Sequence, residues 1–242
     1  MIVGVAMVRD EEDIIGYCCR HLLEQDVDHL IIADNLSVDS TRDILEGFRG
    51  SVTIVEDKDP AYDQSAKMTR LAAHAFDIGA RWVLPFDADE WWYAPDSTIG
   101  AALVGCDARV VQASGWDHRP TRVDVPSLNP FEALPYRERD PQRLPKVAFR
   151  ADPHVVVHNG NHDADRPGDR VADVLLYRHF QWRSLEQMTR KVRQGKEALE
   201  AAGLHYQYGT HWRHLGSLSD QDLKLYWEDL QDTPGLVYDP VP

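Results

Sequence analysis

Trp82-Val83-Leu84-Pro85-Phe86-Asp87-Ala88-Asp89-Glu90-Trp91-Trp92 is the stretch on which the reading of this chain turns. An apolar segment ends in carboxylates at i and i+2, followed at once by a third and by two indoles. With residues 82–86 as a buried strand, Asp87 and Asp89 emerge at its carboxyl end, where extended backbone points alternate side chains the same way. Two neighbouring carboxylates repel, so the pair is costly unless a cation or a proton sits between them. Oxygen ligands of this kind suit Mg²⁺ or Mn²⁺, bound through one or two carboxylates and completed by substrate phosphates. The alternative is an acidic turn leading off a strand.

The residues before this stretch alternate in period. Residues 2–8, 28–34 and 52–56 are apolar runs of strand length, the first without a polar face, as in a strand covered on both sides. Between them, residues 14–23, 40–48 and 65–78 carry apolar side chains at helical spacing. Acidic residues open the first helix, Asp39 or Ser40 caps the second, and Gly79 closes the third. Strand–helix alternation at this spacing predicts an α/β fold: a Rossmann-type, mostly parallel sheet with helices on both faces, joined by right-handed crossovers. Residues 1–105 form the ordered α/β half of one domain, and 106–242 a second half with a small mixed sheet and C-terminal helices.

That second half is less regular. Residues 115–145 are rich in proline and charge without sustained periodicity, which predicts a long loop. Short strands are predicted at 146–150, 154–157 and 171–177. Helices are predicted at 184–202, where Ser184 and Gln187 have capping-box spacing, and at 219–230. The residues from Thr233 read as an irregular tail.

Composition narrows the function classes. A net charge of −14 over 242 residues argues against a nucleic-acid backbone or an anionic membrane as partner. It suits an anionic ligand that arrives with a divalent metal. No apolar stretch reaches the ~18–20 residues needed to span a bilayer. Cys18, Cys19 and Cys106 show no metal-ligand spacing, and a reduced, cytoplasmic setting is the simplest expectation.

Taken in order, these segments carry a family pattern. Asp10-Glu11-Glu12 after the first strand is similar to an N-E-E motif. Asp34-Asn35-Leu36-Ser37-Val38-Asp39-Ser40-Thr41 is similar to D-D-G-S-x-D-x-T, with Leu36 in place of the usual glycine. Asp87-Ala88-Asp89 then resembles the metal motif of family 2 glycosyltransferases with the GT-A fold, in particular short bacterial members with D-x-D-E. Lys146-Val147-Ala148-Phe149-Arg150, Gly160-Asn161-His162 and Arg178-His179-Phe180-Gln181-Trp182-Arg183-Ser184 look like the C-terminal pattern of the same subgroup. The resemblance implies a GT-A-like fold and metal-dependent transfer of a sugar from a nucleotide-diphosphate donor, UDP-sugar by default, to an acceptor it does not name. It implies that Asp34 binds the nucleobase, that the backbone at Asp10 cradles it, that Asp89 ligates Mn²⁺ or Mg²⁺, and that Asp87 reaches the ribose or the metal shell. It points to Asp163, or to Asp117, as the base for an inverting transfer, the stereochemical course being open.

Other residues are read from their chemistry alone. Lys67 and Arg70 lie one helical turn apart and either meet the diphosphate or form a solvated basic edge. Four of the eleven histidines, His154, His158, His162 and His179, fall within a 26-residue span. His179, with His162 second, is the candidate third metal ligand. Glu90 either orients an acceptor or a metal-bound water, or holds a salt bridge. Trp91 and Trp92 either stack on a sugar or pack. Two other functions compete. Gly160-Asn161-His162-Asp163 resembles a metallophosphoesterase G-N-H-D but lacks the partner motifs of a two-metal site. A non-enzymatic sugar- or nucleotide-binding module would need no paired metal carboxylates.

Overall fold

The computed structural model describes residues 1–123, 125–203 and 209–242. The chain runs β1 (Ile2–Val8), α1 (Ile15–Glu24), β2 (His29–Asp34), α2 (Thr41–Glu46), β3 (Val52–Glu56), α3 (Gln64–Asp77), β4 (Trp82–Pro85), β5 (Glu90–Tyr93) and α4 (Ile99–Val104). It continues through β6 (Val110–Asp117), α5 (Pro130–Ala133), β7 (Tyr136–Arg137), β8 (Lys146–Arg150), β9 (Arg170–His179), α6 (Leu185–Ala201), α7 (Thr210–Leu215), α8 (Asp220–Gln231) and β10 (Val237–Tyr238). Two compact units emerge: Met1–Lys58 with Gln64–Trp116 and Pro141–His179, and Asp59–Asp63 with Asp117–Asp140 and Phe180–Pro242.

The first unit is built on an eight-stranded sheet ordered β3-β2-β1-β4-β8-β6-β9-β5. The pairs β3–β2, β2–β1 and β1–β4 are parallel, so the carboxyl ends of four strands share one edge. β8 runs antiparallel to β4 and β6, and β5 antiparallel to β9. This is the α/β arrangement the spacing predicts, and the GT-A-like one the resemblance implies. β4 and β5 are consecutive in the chain yet four places apart in the sheet, roughly 19 Å if the sheet were flat. The link between them contains a turn in which Glu90 N–H donates to the Asp87 carbonyl at 3.1 Å. Such a link reaches only about 14 Å from Pro85 to Glu90. The sheet therefore has to curl, carrying β5 back towards the end of β4.

Apolar side chains from alternate strand positions and one helix stripe make the core. Val3, Val5, Ile31 and Val83 pack with Met68, Leu71, Ala72 and Ala75 of α3, and with Val110, Val147 and Phe149. Each of the larger ones contributes on the order of 1.5–3 kcal/mol by leaving water. On α1, Ile15, Cys18, Cys19 and Leu22 are buried, and burial pushes the Cys19 thiol up to about 12. In β6, a Cβ at Gly115 would lie 2.1 Å from the Tyr177 ring, which is itself fully buried and stacked on Trp92 at 5.3 Å. Gly115→Ala is expected to lower the urea-unfolding free energy by about 1–3 kcal/mol. An unchanged urea midpoint would show that the Tyr177 ring yields at little cost.

The second unit has its own apolar cluster, in which Trp182, ahead of α6, packs with Met188 and Val192 of α6, Leu215 of α7, and Leu223 and Leu230 of α8. Ser184 caps α6 by accepting from Gln187 N–H, and Ser219 caps α8 by accepting from Asp222 N–H. Two predictions are corrected here. The 115–145 segment contains the end of β6, the short α5 and β7. The tail contains β10, which pairs with β7 and is tied down by Arg137 to Asp239 at 2.9 Å. Two-residue strands carry no periodicity, so pairing alone reveals them. Among the described residues, no helix is long and apolar enough to cross a membrane.

Candidate active site

The acidic motif lies on the turn between β4 and β5 rather than on extended backbone, and this changes the geometry predicted for it. Because the chain reverses at residues 87–90, Asp87 and Asp89 take different partners. Asp87 Oδ2 lies 2.5 Å from Lys146 Nζ, and Asp87 Oδ1 accepts from Asn161 Nδ2 at 3.2 Å. Glu90, completely buried, forms an ion pair with the same ammonium at 2.7 Å. Its second oxygen accepts from the Asp87 N–H at 3.0 Å and from Trp92 Nε1 at 2.9 Å. Burial drives the Glu90 carboxyl upward, with Lys146 pulling the other way. Burial alone would depress Lys146, but Asp87 and Glu90 outweigh it and hold the ammonium charged. The salt bridge read for Glu90 is present, and its second oxygen holds the Asp87 N–H.

Asp89 approaches β9. Its Oδ1 lies 3.7 Å from His179 Nε2, and the register places His179 directly opposite Glu90. The far nitrogen of that ring, Nδ1, is 2.9 Å from Gln142 Nε2, while Gln142 Oε1 accepts from the Tyr177 hydroxyl at 2.5 Å. His162 donates through Nδ1 to the Pro145 carbonyl at 2.9 Å. Its pKa is lowered, chiefly by burial and then by Lys146, so the ring is held neutral.

The loops after β1 and β2 are stitched together at the same edge. Asp10 Oδ1 accepts from the N–H groups of Val38 and Asp39, at 2.7 and 3.3 Å. Glu11 N–H donates to the Thr41 hydroxyl at 2.8 Å, and Glu12 accepts from Ser40 N–H at 2.9 Å. Asp34 Oδ1 accepts from Ser37 N–H at 3.2 Å, an Asx-turn contact, and Oδ2 lies 3.5 Å from Arg42. The buried Nε of Arg9, just beyond β1, has no hydrogen-bond partner among the described residues.

Lys67 is buried against Asp57 at 2.7 Å, and Asp57 also accepts from Asn35 Nδ2 at 3.0 Å. Lys67, Arg70 and Asp57 line a cavity of about 200 Å³ beside the carboxyl ends of β2 and β3. Lys67 is buried and belongs to no solvated edge, whereas Arg70 is exposed. Asp163 is bound by Arg170 at 2.7 Å. Burial raises its pKa, but the Arg170 bond and the Ala164 N–H outweigh it, and the carboxyl sits below its ordinary range. Asp117 belongs to the second unit, where Arg119 lies 3.6 Å away. The indoles pack: Trp91 stacks on His21 at 3.5 Å, and Trp92 is fully buried.

Residues 5–155 match the glycosyl transferase family 2 pattern, more than half of the chain. The chain belongs to that family. No curated protein matches it. Among solved structures, this family 2 glycosyltransferase is similar to residues 1–349 of S. aureus TarS, at 11% identity over 93% of this chain and 78% of that one, with a TM-score of 0.48. It is similar to the same TarS fragment in complex with UDP at 12% identity, over 93% and 77%, with a TM-score of 0.45. HddC from Yersinia pseudotuberculosis is similar at 8% identity, over 73% and 92%, with a TM-score of 0.41. These likenesses are too distant to bear on the site.

Three residues of this glycosyltransferase escape a reading by motif chemistry. Lys146 opens a strand, KVAFR, whose other inward positions are apolar; a buried lysine there signals a carboxylate partner. Asn161 sits on a backbone with φ 56°, after Gly160 at φ 72°, and this left-handed pair turns its amide to Asp87. Gln142 lies in the proline-rich segment and carries no signal of its own.

Proposed function

We propose that this glycosyltransferase binds a nucleoside diphosphate sugar, UDP-sugar by default, over the carboxyl edge of β1, β2 and β4. Asp89 and His179 would hold Mn²⁺ or Mg²⁺. The observation that carries this reading is the Asp89–His179 pair at 3.7 Å, a carboxylate and an imidazole from two elements meeting beside the acidic turn. Among the described residues, no set of three or more His, Cys, Asp or Glu side chains is grouped to hold a metal. Two protein ligands nevertheless fit ions that take one or two carboxylates and complete their shell with substrate phosphates. When bound, such a cation supplies Lewis-acid stabilisation of the charge that develops on the leaving diphosphate.

The chain's own residues do the rest. Lys146 bridges Asp87 and Glu90, so Asp87 keeps a fixed orientation with an edge open to solvent. Asp34 stands where a nucleobase N–H would reach it, at the rim of the stitched loops. Arg9 follows β1, which lies between β2 and β4 in the sheet, and its buried Nε has no partner among the described residues; a phosphate oxygen would offset the ~1–3 kcal/mol that a buried, unsatisfied donor costs. Lys67 and Arg70, with Asp57, flank the nucleotide side.

A thermal-shift series with nucleoside diphosphates, with and without Mn²⁺, tests the reading. UDP together with Mn²⁺, each near 100 times its dissociation constant, is expected to raise the melting temperature by about 5–10 °C. Equal shifts by UDP in the presence of a chelator, or by free sugars, would end the metal reading. The proton acceptor lies elsewhere than Asp163, because a carboxylate held by an arginine accepts protons poorly. Asp163→Asn is expected to keep turnover within about threefold, measured as UDP release from a panel of UDP-sugars; a loss of about 10²-fold or more would restore Asp163 as the base.

A further inference from the structure

We propose that Leu36 is a donor-contact residue whose side chain covers one face of the nucleobase that Asp34 binds by its edge, and so favours nucleoside diphosphates over base-free ones. The inference rests on the donor reading above and concerns only the base end of that ligand.

Among the described residues, five that are not glycine have a positive φ. Four of them, Asp10, Asp26, Asn161 and Asp173, are Asp or Asn, whose short polar side chains tolerate the left-handed region. Leu36, at φ 61°, is the exception. Glycine would take this conformation without the clash that a Cβ brings. Ties on both sides of Leu36 leave the backbone little choice. Asn35 N–H donates to the Val8 carbonyl at 2.8 Å, and its side-chain amide donates to Asp57 at 3.0 Å. Ser37 N–H donates to Asp34 Oδ1 at 3.2 Å, and the Ser37 hydroxyl accepts from Asp10 N–H at 3.1 Å.

The core offsets only part of the cost of a leucine here. Leu36 is 39% exposed, and Val38, the other apolar residue of the 34–41 turn, is 88% exposed. Strain that the surroundings enforce and the core repays in part is the kind kept at ligand clamps. The bond from Ser37 to Asp34 sets the range. The nitrogen held by Asp34 is the one directly after Leu36, so the Leu36 Cα lies within about 6 Å of that carboxylate oxygen. A base that gives an edge N–H to Asp34 still has two flat, largely apolar faces to take out of water. Ligand sites join a few polar groups that fix orientation to apolar side chains that cover such faces. Asp34 and Leu36 supply one of each from a single turn.

Calorimetry in the presence of Mn²⁺, with UDP, dTDP, GDP, ADP and pyrophosphate, tests this. Wild type is expected to bind one of the nucleoside diphosphates more tightly than pyrophosphate. Leu36→Gly should weaken that nucleoside diphosphate by about 10-fold, as expected for losing the exposed part of one leucine from a contact, and leave pyrophosphate within about twofold. Leu36→Met restores an apolar chain and should stay within about threefold of wild type. Leu36→Asn, which suits the left-handed backbone, decides the matter if Leu36→Gly fails to fold. Nucleoside diphosphate affinity within about twofold of wild type in these glycine or asparagine variants overturns the inference while the donor reading stands. So does an equal loss for pyrophosphate, since the turn rather than the base contact would then be at fault. If wild type binds none of the nucleoside diphosphates, the donor reading itself falls and takes the inference with it.

Discussion

Lys146→Met is expected to lower the unfolding free energy by about 3–5 kcal/mol at about pH 7.5, the cost of removing one partner from a buried ion set. The ammonium lies 2.5 Å from Asp87 and 2.7 Å from Glu90. Its loss leaves the fully buried Glu90 carboxylate beside a second negative charge. The pH dependence has a definite sign. Burial raises the Glu90 pKa above its ordinary 4.5. A group whose folded pKa is raised contributes stability present below the unfolded value and lost as pH climbs through the folded one. Without Lys146, that loss sets in as pH climbs above about 4.5, so the variant is less impaired near pH 5 than near pH 7.5. In the wild type, Lys146 is itself held above its ordinary 10.5, and its pairing persists across the whole range. Urea unfolding at about pH 5 and 7.5 checks both statements; a variant equally stable at the two values would mean that Glu90 is not ionised beside Lys146.

Asp89→Asn is expected to cut turnover by about 10²–10³-fold, measured as UDP release, since it removes a carboxylate that would hold the cation offsetting the negative charge on the leaving diphosphate. It should also abolish the extra stabilisation that Mn²⁺ gives to bound UDP. The amide keeps a side chain of the same shape in the turn, so loss of the metal response with the fold intact separates binding from folding. Turnover within about threefold of wild type would place the cation away from Asp89.

Much of the frame was legible in one dimension because it depends on period. Four apolar runs and three helical stripes fix β1 to β4 and α1 to α3, and they send Asp34 and Asp87 to a shared edge. What the periods do not carry is pairing. β5, Glu-Trp-Trp-Tyr, reads as a motif until Arg178 and His179 of β9 are seen alongside it. Asp87 and Asp89 point the same way only on extended backbone, and the hydrogen bond from Glu90 N–H to the Asp87 carbonyl makes a turn instead. Lys146 stands 59 positions from Asp87, a separation at which no local pattern assigns a counter-ion. Lys67 was legible as a helix-face cation, but not as a buried partner of Asp57.

The curl that brings β5 back towards β4 also has a kinetic side. Glu90 faces His179, 89 positions later in the chain (179 − 90), and contacts so distant in sequence form late because the intervening loop must first be closed. During folding, the β1–β4 layer has only local crossovers to make, whereas the 87–90 turn has to wait for residues 146–179 to arrive. Meeting of Asp89 with His179 and closure of the sheet are then one event, late in folding.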